Sequence, residues 1–126
     1  MRMRKTLVST ERSFSQSDFD RFAQLSGDNN PIHVDPEFSA RTRFGRTVAH
    51  GLLLASVLRG LIERLVPDGG LSDQALTFTA PTYAGERMLF CAEIADADDS
   101  GMTVKLRVMR LDDGVVTCEG RCRVAI

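Results

Sequence analysis

A chain of 126 residues, 43% apolar and 26% charged, has the composition of an ordinary globular protein and the length of one domain. Such a chain buries roughly two-thirds of its unfolded surface, so it folds without covalent staples. Sixteen Lys and Arg against seventeen Asp and Glu leave a formal charge of −1, which excludes the broad basic field of a nucleic-acid binder.

The N-terminus, Met1-Arg2-Met3-Arg4-Lys5-Thr6-Leu7-Val8, is charged and lacks the apolar stretch of a signal peptide. The longest apolar run, near Leu52 to Leu58, is cut by Arg59 far short of a membrane span. The expectation is a cytoplasmic protein with no membrane partner, its cysteines Cys91, Cys118 and Cys122 free in a reducing compartment. Arg4 to Phe14 alternates weakly and reads as a first strand. Ser15 or Ser17 can cap a helix through Leu25, with Asp18 and Asp20 in its first turn and Phe19, Phe22, Ala23 and Leu25 on its apolar face. Gly27 to Pro36, rich in Gly, Asp, Asn and Pro, is not expected to be regular helix, whereas Pro36 to Arg41 fits one or two turns capped by Asp35.

From Gly51 to Val66 the residues are apolar around most of the circumference until Arg59, the pattern of a helix inside a protein. Pro67-Asp68-Gly69-Gly70 stops it. Four strand-like runs follow, roughly 72–82, 87–95, 103–111 and 115–124, separated by Tyr83 to Glu86, Asp96 to Gly101 and the hairpin signal Asp113-Gly114. The acidic stretches read as solvated turns, because a calcium loop needs a longer pattern of alternating carboxylates. Cys118 and Cys122, four apart in a strand, point to one face and read as core packing; no metal is expected. These elements describe one domain, residues 1–126, of the α+β class: a curled antiparallel sheet wrapped around one long central helix.

Gly27-Asp28-Asn29-Asn30-Pro31-Ile32-His33 is the most informative stretch. It holds a carboxylate and an imidazole five residues apart on a loop stiffened by Pro31, which also restricts Asn30. Gly27 permits a turn that other residues resist, and the Asn30 side chain can tie loop backbone groups together. By themselves, an Asp and a His in a loop read more readily as a cap and a surface imidazole.

Phe22 to His33, with Ser39 six residues on, resembles the signature of the MaoC-like, (R)-specific enoyl-CoA hydratases. Ala49-His50-Gly51-Leu52-Leu53-Leu54-Ala55-Ser56 is similar to the start of their central helix, and Leu76 to Gly85 more weakly to the strand and turn after it. The resemblance covers nearly the whole chain in one order. It implies a hot-dog fold, and a homodimer or higher oligomer with an acyl tunnel at the interface. It also implies a substrate that is a thioester of coenzyme A or of an acyl carrier protein, with no separate cofactor.

The implied reaction adds water across a double bond conjugated to a thioester, or removes it. It needs a base for the water, a proton for C2 and donors for the thioester oxygen. Asp28 and His33 are expected to share the first two tasks, since an unperturbed imidazole titrates near ~6.5. Gly51 at the helix N-terminus offers an N–H and room for the oxygen, and can equally serve tight packing. Asn30 and His50 belong to the site, His50 more as structural support than as a catalyst. Ser56 either supports the pair or bonds back to a carbonyl of its own helix. Arg41, Arg43 and Arg46 either meet substrate phosphates or acidic residues of a carrier protein, or form a solvated loop face. Two other readings use the same fold: a hot-dog thioesterase, which would rely on a helix carboxylate where this helix carries only Glu63, and a non-catalytic acyl-thioester-binding subunit.

Overall fold

The computed structural model describes residues 5–126. Arg4, expected in the first strand, lies outside them. Five strands form one antiparallel sheet in the order β1-β3-β4-β5-β2, with β1 at Leu7–Arg12, β2 at Gly70–Phe78, β3 at Met88–Asp98, β4 at Gly101–Arg110 and β5 at Val116–Ala125. Four helices lie between β1 and β2: α1 (Gln16–Ser26), α2 (Pro31–Val34), α3 (Pro36–Ala40) and α4 (Gly51–Leu65). No helix among the described residues is long and apolar enough to cross a membrane.

The core is built from alternation. Met88, Phe90 and Ala92 of β3, Val104, Leu106 and Val108 of β4, and Cys118, Cys122 and Val124 of β5 all point to one face and are buried there. Cys118 and Cys122 are thus core residues, and burial pushes the Cys118 thiol up to about 11. Helix α4 lays Leu54, Leu58, Leu61, Ile62 and Leu65 across that face, a stripe at helical spacing. Each such side chain contributes roughly 1.5–3 kcal/mol.

Several expectations are corrected. Helix α4 is not apolar on every side: Ser56, Arg59, Gly60, Glu63 and Arg64 are exposed, and Leu52 is 70% exposed. Its second face therefore finds no apolar partner among the described residues. Leu25 is 85% exposed and leaves the buried face of α1 to Phe19 and Ala23. The stretch expected to be irregular contains the single turn α2, because Pro31 supplies the first-turn φ and the Asn30 side chain accepts from the Ile32 N–H. Strand β2 ends at Phe78 rather than Thr82, just ahead of Pro81, which has no N–H to offer a ladder.

Ser15 is the α1 cap, in a reciprocal capping box with Asp18, and Gly27 closes the helix at φ +80°. That left-handed turn directs the next residues toward the start of α4.

Candidate active site

Three segments meet at the N-terminus of α4. The 47–50 stretch is held on one side by α2, with Val48 N–H donating to Ile32 O at 3.0 Å, and on the other by Ala49 N–H donating to Thr82 O at 2.8 Å. Helix α2 is fixed from below by the wholly buried Ser39, whose hydroxyl reaches Ile32 O at 3.2 Å. Gln16 of α1 donates to His33 O at 2.9 Å and accepts from the Thr47 hydroxyl. This latch joins residues 31 apart in sequence, and neither Gln16 nor Thr47 carries a local pattern that could have revealed it.

Asp28 and His33 come together. The Asp28 carboxylate accepts from Asn30 N–H through Oδ1 at 3.2 Å, and its Oδ2 lies 3.9 Å from His33 Nε2. The far nitrogen of His33, Nδ1, lies 2.8 Å from Val48 O. A carbonyl can only accept, so Nδ1 carries the proton and neutral His33 presents a bare lone pair at Nε2. The His33 side chain is 13% exposed and that of Asp28 51%, so the pair faces solvent on the Asp28 side.

His50 completes the cluster. It is 2% exposed, with its ring stacked on His33 at 3.8 Å between centroids and its Nε2 3.1 Å from Asp28 O. Phe22 packs against the His50 ring, tilted by 59° at 4.9 Å between centroids. Burial holds the His50 pKa below 6.5; the His33 charge acts in the same direction, against the Asp28 hydrogen bond and charge. Donor atoms of Asp28, His33 and His50 lie within 4.8 Å of one another, a spacing that would admit a cation. One nitrogen of each ring is committed to a carbonyl, which leaves His33 Nε2 and His50 Nδ1 as open acceptors.

Gly51 begins α4, and the N–H groups of Gly51 and Leu52 find no acceptor among the described residues. A Cβ at Gly51 would lie 2.8 Å from Phe78 Cζ, so a side chain there would have to push aside the tip of the half-exposed Phe78 ring. Gly51 borders a cleft of about 640 Å³ that runs along Val48, Ala49, Phe78 and Tyr83 to Arg43. Asp28 and His33 do not line this cleft; Val48 does, and its carbonyl is the His33 partner.

Ser56 is exposed on α4 and its hydroxyl donates to Leu53 O at 2.7 Å, the local back-bond. Of the three arginines, Arg46 stacks on Tyr83 at 4.0 Å and lies 3.9 Å from Glu86, while Arg43 sits over Phe44 at 4.8 Å beside the cleft. Arg41 closes α3 through its backbone. Glu63 is exposed, at the far end of α4 from Gly51, and paired with Arg59 at 2.9 Å.

Comparison with known proteins agrees with this architecture. The MaoC-like domain model matches residues 2–114. The (R)-specific enoyl-CoA hydratase of Aeromonas caviae is 38% identical over 85 residues, which is 66% of this chain and 63% of that relative, so the match spans less than two-thirds of its length. The (R)-specific enoyl-CoA hydratase of Rhodospirillum rubrum is 29% identical over 121 residues, 94% of this chain and 84% of the relative. A solved (R)-hydratase from A. caviae, involved in PHA biosynthesis, superposes with a TM-score of 0.89 at 29% identity, covering 98% of this chain and 96% of that one. With its curled five-stranded sheet and central helix, this chain is a hot-dog protein and belongs to the MaoC-like dehydratase family.

Proposed function

We propose that the protein is a hydro-lyase that adds water to trans-2-enoyl thioesters, giving (3R)-hydroxyacyl thioesters, and removes it in the reverse direction. The observation that carries this reading is the 3.9 Å gap between the bare Nε2 of His33 and the Asp28 carboxylate. That separation is too long for a direct hydrogen bond and suits one bridging water. As the water oxygen bonds to C3, its proton passes to the pair, electron density moves onto the thioester oxygen, and the pair returns a proton to C2. The free Gly51 N–H at the positive end of α4 is the donor for that oxygen, a role worth about 2.7–4 kcal/mol in comparable sites. Asn30 holds the loop in shape through its own cap and the Asp28 bond. Ser56 acts at most as a support for the α4 backbone.

The substrate carries coenzyme A or an acyl carrier protein. Arg43, at the edge of the cleft and without a carboxylate partner among the described residues, suits a phosphate of either. A homodimer or higher oligomer would cover the exposed Leu52 and Phe78 and the free edge of β2 beside the site; light scattering of the purified protein reads its mass directly. Free, buried Cys118 and Cys122 are consistent with a reducing cytoplasm. No metal takes part in this scheme, and dialysis against a chelator should leave the rate unchanged.

The test follows the conjugated absorbance of crotonyl-coenzyme A with a thiol reagent present. Loss of absorbance without thiol release supports the proposal. Thiol release would make the protein a thioesterase, and binding without either change would leave an acyl-thioester-binding module.

A further inference from the structure

His50 opens α4 yet its side chain does not cap that helix. It is buried, and its Nε2 faces the Asp28 carbonyl at 3.1 Å, so Nε2 carries the proton. Nδ1 is then an unprotonated lone pair, buried with no partner among the described residues. A polar atom stranded in this way is unfavourable, and an apolar ring of similar size would avoid it. The position nevertheless keeps an imidazole, and that imidazole touches both members of the proposed reacting pair.

We infer that His50 is a positioning residue for Asp28 and His33, its Nε2–H fixing the Asp28 main chain and its ring face fixing the plane of His33. The inference rests on the reaction proposed above and deepens it. The other ties of the Asp28 loop are local: Asp28 N–H to the Ser26 hydroxyl at 3.1 Å and Asn30 N–H to the Asp28 carboxylate at 3.2 Å. The bond from His50 spans 22 residues and fastens the loop to the start of α4, where Gly51 is. It therefore sets Asp28 relative to both His33 and the free helix N–H. Only the tautomer protonated at Nε2 can make it. The titratable groups that face His50 are Asp28 and His33. A positive His50 would stand face to face with His33 at 3.8 Å and oppose its protonation, so a neutral His50 leaves His33 able to hold the proton taken from water.

Two substitutions separate the roles of the ring and the donor. His50→Gln can retain an N–H toward the Asp28 carbonyl without the stack, and His50→Phe retains a stack without the donor. Misplacement of reacting groups by about 1 Å costs up to roughly 10² in rate. His50→Phe should lower kcat by about tenfold to a hundredfold at nearly unchanged KM and melting temperature, with His50→Gln recovering most of the loss. Nitrogen-15 spectra of the wild-type protein at pH 8 should show His50 protonated at Nε2 and bare at Nδ1. Full activity in both variants would overturn the inference. So would a fall in kcat that only follows the loss of folded protein, or a His50 protonated at Nδ1 instead of Nε2. If Asp28→Asn stays fully active, the proposed reaction fails instead, and the spectra still judge His50.

Discussion

Asp28 and Asp98 look alike in sequence, each an acid in a loop among small polar residues, and the structure uses them in opposite ways. Asp98 closes the β3–β4 hairpin, and its Oδ1 accepts from Ser100 N–H, the Ser100 hydroxyl, Gly101 N–H and Arg123. Those donors, the Ser100 hydroxyl first, lower its pKa to about 2. Asp28 has one backbone donor on Oδ1, and its Oδ2 points at an imidazole lone pair 3.9 Å away. A carboxylate held by four donors, one of them a guanidinium, holds a turn. One left with open acceptor sites beside an imidazole can take and return a proton.

The largest effect expected from this contrast is at the imidazole. His33→Ala should lower kcat for enoyl-thioester hydration by about 10²–10⁴ while the circular dichroism spectrum and melting temperature stay near wild type. Retention of more than a tenth of the rate would remove His33 from the chemistry. Next comes Gly51→Ala, which keeps the N–H but pushes on Phe78; kcat/KM should fall at least about tenfold, and an unchanged value would separate the helix start from the thioester.

Away from the site, Leu58→Ala opens a hole in the wholly buried stripe of α4 and should cost about 2–5 kcal/mol in urea unfolding. A smaller pH effect comes from His50. Its pKa is below 6.5 in the folded chain, so the unfolded chain binds the proton more tightly. Stability is then full above pH 6.5, falls as pH drops below it by no more than about 1.4 kcal/mol per unit, and levels off below the folded pKa. Urea midpoints at pH 7.5 and 5.5, wild type against His50→Gln, check this; equal slopes in both proteins would contradict it. The smallest effect is at Asp98, whose lowered pKa supports the fold above pH 3.8 and ceases to as pH falls from there to about 2. Melting of Asp98→Asn should differ from wild type at pH 5 and converge with it near pH 2.

Much of this was readable before the fold was known. The 3.6-residue spacing of Leu54, Leu58, Leu61 and Leu65 and the period-two alternation of β3 to β5 express burial directly in sequence. The turn residues and the Gly27–Pro31 stretch did the same for the loop that carries Asp28. Three things were not readable. The exposure of Leu52 depends on what faces α4 across space, and an apolar run does not say on which side its partner lies. The Gln16–Thr47 latch joins residues 31 apart that have no reason to look paired. The tautomers of His33 and His50 follow from which carbonyls stand opposite them, Val48 and Asp28, and only the folded chain brings those together.

The most direct test of the account replaces both acids by their amides and compares initial rates of crotonyl-coenzyme A hydration at equal concentrations of folded protein. Asp28→Asn should lose about 10²–10⁴ in kcat and Asp98→Asn should match the wild type. Comparable rates for the two variants would contradict the assignment of Asp28 to the reacting pair.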